Sequence, residues 1–157
     1  MSSVDIRIVR EEPDIEEAEG LLRRYYGELD ARLPGGFELD ASGPTSVAEL
    51  VSLPGAFLVT RIDGHPVGCG SVRPLGGETA EIKRMWIDPS TRGRGIGRRL
   101  LAALEEIARE LSCPVVRLDT SAQLPEALAL YRSSGYHDIP AYNDNPYADH
   151  WLEKLLV

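Results

Sequence analysis

The stretch from Thr79 to Leu111 limits the possible folds of this chain more than any other. Thr79 to Asp88 reads as a strand and is closed by Pro89, which lacks the N–H a continuing strand would use. Arg92 to Gly97 then runs Arg-Gly-Arg-Gly-Ile-Gly. Ile96, Leu100, Leu101, Leu104, Ile107 and Leu111 follow at helical spacing. A strand that enters a helix through a glycine turn leaves free backbone N–H groups at the positive end of the helix dipole, which carries about half a charge. Glycines let an anion approach the backbone, and Arg92, Arg94, Arg98 and Arg99 add local positive charge. The whole chain, by contrast, has a formal net charge of −8. That balance disfavours nucleic acid and anionic membranes as partners and suits a small phosphorylated ligand. For these residues taken alone, a solvated arginine-rich helix end is the plain alternative.

The remaining chain supplies a single domain, residues 1–157. At 43% hydrophobic and 27% charged it has the composition of a soluble globular protein. Cys69 and Cys113 form no metal-binding or disulfide pattern, and His65, His137 and His150 have no ligand spacing, so no metal is expected. Met1 to Arg10 lacks a signal-peptide core, and no apolar run approaches the roughly 18 residues of a membrane span. A cytoplasmic location follows as the expectation. Asp5 to Val9 reads as a strand, Asp14 opens a helix, Leu33 to Pro44 is a loop and Ser46 to Leu53 a short second helix. Ala56 to Ile62, Val67 to Leu75 and the strand from Thr79 form a meander turned at Asp63-Gly64 and Gly76-Gly77. After the long helix come a strand at Val115 to Thr120 and a helix from Pro125 to about Ser133. Tyr136 to Ile139 and Trp151 to Leu156 close the chain as strands. The pattern predicts an α/β fold with a mixed central sheet of about seven strands and helices on both faces.

Two familiar glycine loops fail on spacing. A P-loop requires Gly-Lys-Ser/Thr, and Gly97 is followed by Arg98 and Arg99. A dinucleotide fingerprint requires a third glycine where Arg98 or Leu100 stands, and it begins from a parallel strand rather than a meander. Arg92-x-x-Gly95-x-Gly97 instead resembles the pyrophosphate loop of the GNAT superfamily of acyl-CoA-dependent N-acyltransferases. Glu81 to Asp88-Pro89 is similar to that family's fourth strand. Leu130-Tyr131-Arg-Ser-Ser-Gly135-Tyr136 is similar to its Leu-Tyr-x-x-x-Gly-Phe/Tyr signature, and the order of elements agrees along nearly the whole chain.

The resemblance implies acetyl-CoA in a cleft between splayed fourth and fifth strands, with no metal. Met85, Trp86 and Ile87 would flank the pantetheine arm. Arg92, Gly93, Arg94, Gly95, Ile96 and Gly97, with Arg98, would hold the pyrophosphate. It also implies Tyr131 as general acid for the departing thiolate, and Glu81 as general base, directly or through water. Each such assist is typically worth ~10²–10⁴-fold. On a regular strand Lys83 shares the face of Glu81, unless a bulge separates them. Leu124 stands where many family members carry an asparagine that contacts the cofactor, with Ser121 or Gln123 as possible substitutes.

The acceptor would be a primary amine of a small molecule or peptide, met by the first helices and the last loop: Tyr25, Tyr26, Tyr142 and Asn143 are the candidate contacts. Net acidity suits a cationic acceptor, whereas Arg23, Arg24 or Arg84 suits a substrate carboxylate. A non-catalytic acyl-CoA-binding sensor or partner subunit of the same fold is the alternative. The resemblance also makes a homodimer plausible.

Overall fold

A computed structural model describes residues 4–38 and 55–156. Seven strands form one sheet: β1 (Ile6–Arg10), β2 (Ala56–Ile62), β3 (His65–Gly76), β4 (Thr79–Ile87), β5 (Val115–Thr120), β6 (His137–Ile139) and β7 (His150–Leu155). Their spatial order is β1-β2-β3-β4-β5-β7-β6. Three α-helices accompany them among the described residues: α1 (Glu16–Arg32), α2 (Ile96–Glu110) and α3 (Pro125–Ser133). The expected mixed α/β sheet is therefore present. The helix expected at Ser46 to Leu53 lies outside the described residues, and no described helix is long and apolar enough to cross a membrane.

Alternation along the strands decides which helix covers which face. Phe57 and Val59 of β2 pack with Cys69, Trp86 and the α1 residues Ala18, Leu21 and Leu22. Leu58, between them, turns to the other face and joins Ala80, Ile82, Val116 and Leu118 against Leu100, Leu101 and Leu104 of α2. Leu100, Leu101 and Leu104 are each at most 1% exposed, and each such side chain contributes about 1.5–3 kcal/mol of burial. Glu105 also lies on the buried face of α2. Tyr136 donates to its carboxylate at 2.8 Å and Lys154 at 3.1 Å, so the charge is paired.

One irregularity in β4 matters for everything that follows. Cys69 pairs with Trp86 and Ser71 with Lys83, so Gly70 alone faces both Arg84 and Met85. Arg84 sits in this bulge at φ +56°, a left-handed conformation that costs a side-chain-bearing residue roughly 1–2 kcal/mol. The extra residue reverses the alternation. Ile82 faces α2, Trp86 faces α1 and Ile87 returns to the α2 side. A regular strand would drive the Arg84 guanidinium into the α2 core.

The sheet also has a notch. β4 and β5 run parallel but pair only at Thr79, Ala80 and Glu81 against Val115, Val116 and Arg117. Beyond that point β4 remains paired to β3 and β5 to β7.

Candidate active site

The notch opens into two adjoining cavities. One is a groove of about 260 Å³ lined by Met85, Trp86, Ile87, Arg92, Gly93, Gly95, Ile96, Gly97, Arg98 and Tyr131 together with α1 and α3 residues. The other is a recess of about 90 Å³ lined by Lys83, Arg84, Asp119, Ser121, Asn145, Tyr147 and aromatic residues of α1. Tyr25, Met85, Leu124, Ala127 and Tyr131 border both.

The turn into α2 explains its own sequence. Gly93 and Gly95 have φ of +85° and +76°, which glycine adopts without strain. A Cβ on Gly97 would stand 3.1 Å from Leu130, so the third glycine lets α2 pass close to α3. Arg99 is the first residue of α2 whose N–H finds a backbone acceptor, the Gly95 carbonyl at 3.2 Å. Among the described residues, the N–H groups of Gly93 to Arg98 have none, as at any helix start. The arginines do a different job from the one their charge suggests. Arg92 donates to the Ile87 carbonyl at 2.9 Å and to Glu28 at 2.9 and 3.1 Å. Arg98 donates to Ser133 at the end of α3 and to Ser134 just after it, at 2.9 and 3.2 Å. These side chains fasten the turn to α1 and α3. Arg94 is exposed and lies outside the groove lining. The exposed backbone donors, rather than a cluster of free cations, are what this turn offers an anion.

Tyr131 is 6% exposed and sits where the two cavities meet. Burial, with the Asp119 carboxylate nearby, pushes its phenol well above the ordinary tyrosine value. It is therefore held protonated, and among the described residues its hydroxyl has no hydrogen-bond partner. Leu124 lines both cavities as the residue before α3, while Ser121 lines the recess and accepts from the Gln123 N–H at 3.0 Å.

Glu81 is placed differently from the expectation. It is 2% exposed at the vertex of the notch and lines neither cavity. Arg73 donates to it at 3.0 Å and Tyr142 at 2.8 Å. Its lateral neighbours Arg73, Arg117 and Glu153 form a row of alternating charge across four strands. Lys83 does share its face, because the bulge falls one residue later, at Arg84. Tyr142 is thereby tied to the vertex and does not line the recess. Asn143 supports it from behind, donating to Asp119 at 2.7 Å and accepting from Trp151 Nε1 at 2.9 Å. Tyr25 and Tyr26 both line the recess, and burial raises the pKa of each.

The carboxylate that does border the recess is Asp119, on β5, held by Lys83 at 3.0 Å and Asn145 at 3.1 Å. Sequence reasoning passed over it. The signal was present: Val116 and Leu118 face α2, so Arg117 and Asp119 must face the other way, beside Glu81 and Lys83. Cys69 and Cys113 are buried and line neither cavity, and burial pushes the Cys69 thiol up to about 12. Among the described residues, no group of three His, Cys, Asp or Glu side chains could hold a metal ion.

Comparison with known proteins bears on the same arrangement. Residues 19–136 match the acetyltransferase (GNAT) family. The chain is 33% identical over 135 residues to an IAA acetyltransferase of Azospirillum brasilense, covering 85% of this chain and 86% of that one. The structure superposes on a candidate acyl-CoA N-acyltransferase from Klebsiella pneumoniae with a TM-score of 0.79 at 31% identity, covering 97% and 98% of the two chains. It superposes on PaiA N-acetyltransferase from Thermoplasma acidophilum, solved in complex with coenzyme A, with a TM-score of 0.73 at 20% identity, covering 98% and 99%. A notched sheet, a donor-rich glycine turn and a buried tyrosine between two cavities thus coincide with sequence similarity over three quarters of the chain, and the protein belongs to the GNAT acetyltransferase family.

Proposed function

We propose that the protein transfers the acetyl group of acetyl-CoA to a primary amine by direct attack. The observation that carries this is the notch itself: a parallel pair that parts after Glu81 and Arg117, with a phosphate-type turn at one end and Tyr131 at its centre. The residues present fit the donor. The turn from Gly93 to Arg98 would take the pyrophosphate on backbone N–H groups. Met85 to Ile87 would flank the pantetheine arm, and the open edge of β4 would offer its amides backbone partners. The thioester would then lie beside Tyr131.

In the reaction the amine nitrogen attacks the thioester carbonyl, a C–N bond forms and the C–S bond breaks. Tyr131 gives its proton to the departing thiolate. Its raised pKa keeps that proton available across the neutral range. The amine must lose a proton, since a free alkylammonium has a pKa near ~10.4. We assign that proton to Asp119, directly or through water, because Asp119 borders the recess. Glu81, the carboxylate that the resemblance implies, lines neither cavity. Both cysteines are buried and line neither cavity, which favours direct transfer over an acyl-cysteine intermediate.

Screening an amine library with acetyl-CoA, with detection of the released thiol, tests the reading. Acetylation of at least one amine is expected, and CoA should raise the melting temperature. A CoA-stabilised protein that acetylates nothing would instead indicate an acyl-CoA-binding sensor.

A further inference from the structure

The recess carries a charge imbalance that acetyl transfer by itself does not require. Lys83 and Asp119 pair with each other across the notch at 3.0 Å. Arg84, the third ionised side chain of the lining, donates through Nε to the Tyr26 hydroxyl at 3.1 Å. Among the described residues its terminal nitrogens meet no carboxylate. The recess is thus locally cationic in a chain of net charge −8. The backbone spends strain to arrange this, because the left-handed bulge at Arg84 releases its side chain from the α2 face. The adjoining wall is aromatic. Tyr26 stacks on Phe37 at 5.7 Å, and Phe37 packs on Tyr147 at 5.0 Å.

We infer that the acceptor is a zwitterionic amino-carboxylate with an apolar side chain, which builds on the acetyl-transfer reading above. Its carboxylate would meet the free face of Arg84, its amine would lie toward Asp119 and Tyr131, and its side chain would cover Tyr26, Phe37 and Tyr147. A guanidinium presents paired donors that match a carboxylate. An acceptor without an anion would bury that charge with no new partner, which is unfavourable.

The test compares wild type with Arg84→Asn and Arg84→Gly, two residues that tolerate positive φ and so keep the bulge while removing the charge. Retention of the CoA-induced thermal shift shows that each variant is folded. With acetyl-CoA as donor, wild type should acetylate L-phenylalanine at least ~10-fold more efficiently than phenethylamine, and the variants should lose that preference. Calorimetry with 3-phenylpropionate, which has the carboxylate but no amine, should show binding that weakens at least ~10-fold in both variants. Equal or better use of phenethylamine by wild type overturns the inference, as does 3-phenylpropionate binding that is absent or indifferent to Arg84. The two readings fail separately. Arg84-dependent carboxylate binding without acetylation of any amine counts against the transferase. Acetylation of other amines without carboxylate binding counts against the acceptor class alone.

Discussion

The groove and the recess meet at Tyr131 but are made of different materials. Among apolar side chains, the hydrogen-bonding groups of the groove are mainly backbone: the N–H groups of Gly93 to Arg98 and the open edge of β4. Its side-chain charges are consumed internally, Arg92 by Glu28 and Arg98 by two serines. The recess presents side chains drawn from separated segments: Tyr26 and Phe37, Arg84, Asp119, Asn145 and Tyr147. Backbone geometry is fixed by a few glycines and survives many substitutions. Side-chain constellations change with each residue. A ligand shared by a whole family suits the first kind of wall, and a ligand particular to one member suits the second.

Substitutions can break this contrast. The largest effect is expected at Gly95→Glu, which strains a φ of +76° and places a carboxylate where an anion should bind. The CoA-induced thermal shift should vanish, and an unchanged shift would remove the pyrophosphate assignment. Tyr131→Phe should lower kcat by ~10²–10⁴-fold with little change in the CoA shift. Full turnover in that variant would exclude its acid role. Asp119→Asn should lower kcat more than Glu81→Gln, by about tenfold or more, if the recess carboxylate takes the proton. The reverse order in steady-state kinetics would return that role to the vertex. The smallest effect concerns pH. Burial raises the pKa of Tyr25, Tyr131, Tyr136 and Tyr142 in the folded protein. Their contribution to stability is complete below the ordinary tyrosine value near ~10 and declines as pH rises from there toward the folded values. Melting temperatures should therefore hold to about pH 9 and fall above pH 10. A flat profile across that interval would contradict the buried phenols.

The same contrast explains what could be read from the sequence. β2, β5 and α3 fall at the expected residues because each has a clear period and a clear stop, such as Pro125 at the start of α3. The groove was legible because a backbone site is encoded locally, in consecutive glycines. The recess was legible only in part: Tyr25, Tyr26 and Arg84 are expected from the sequence and line it, but its other parts are adjacent only after folding. Arg84 depends on a bulge that no single residue announces, and the pairing of Gly70 with two partners is a property of the register. Asp119 depends on the parting of β4 from β5. The resemblance implies Glu81 as base by its place in β4, and that place cannot reveal that the side chain sits at the vertex of the notch, outside both cavities.

The short pairing of β4 with β5 also predicts an uneven exchange of amide protons. Beyond Glu81, donors of β4 that turn toward β3 have ladder partners, whereas those that turn toward the notch have none from β5. Along one continuous strand, slow and fast deuterium uptake should therefore alternate up to the bulge, although both sets belong to the same folded core. An occupant with amides of its own would complete the ladder and erase that alternation. Protection along β4 would then report an occupied notch, residue by residue, without any turnover.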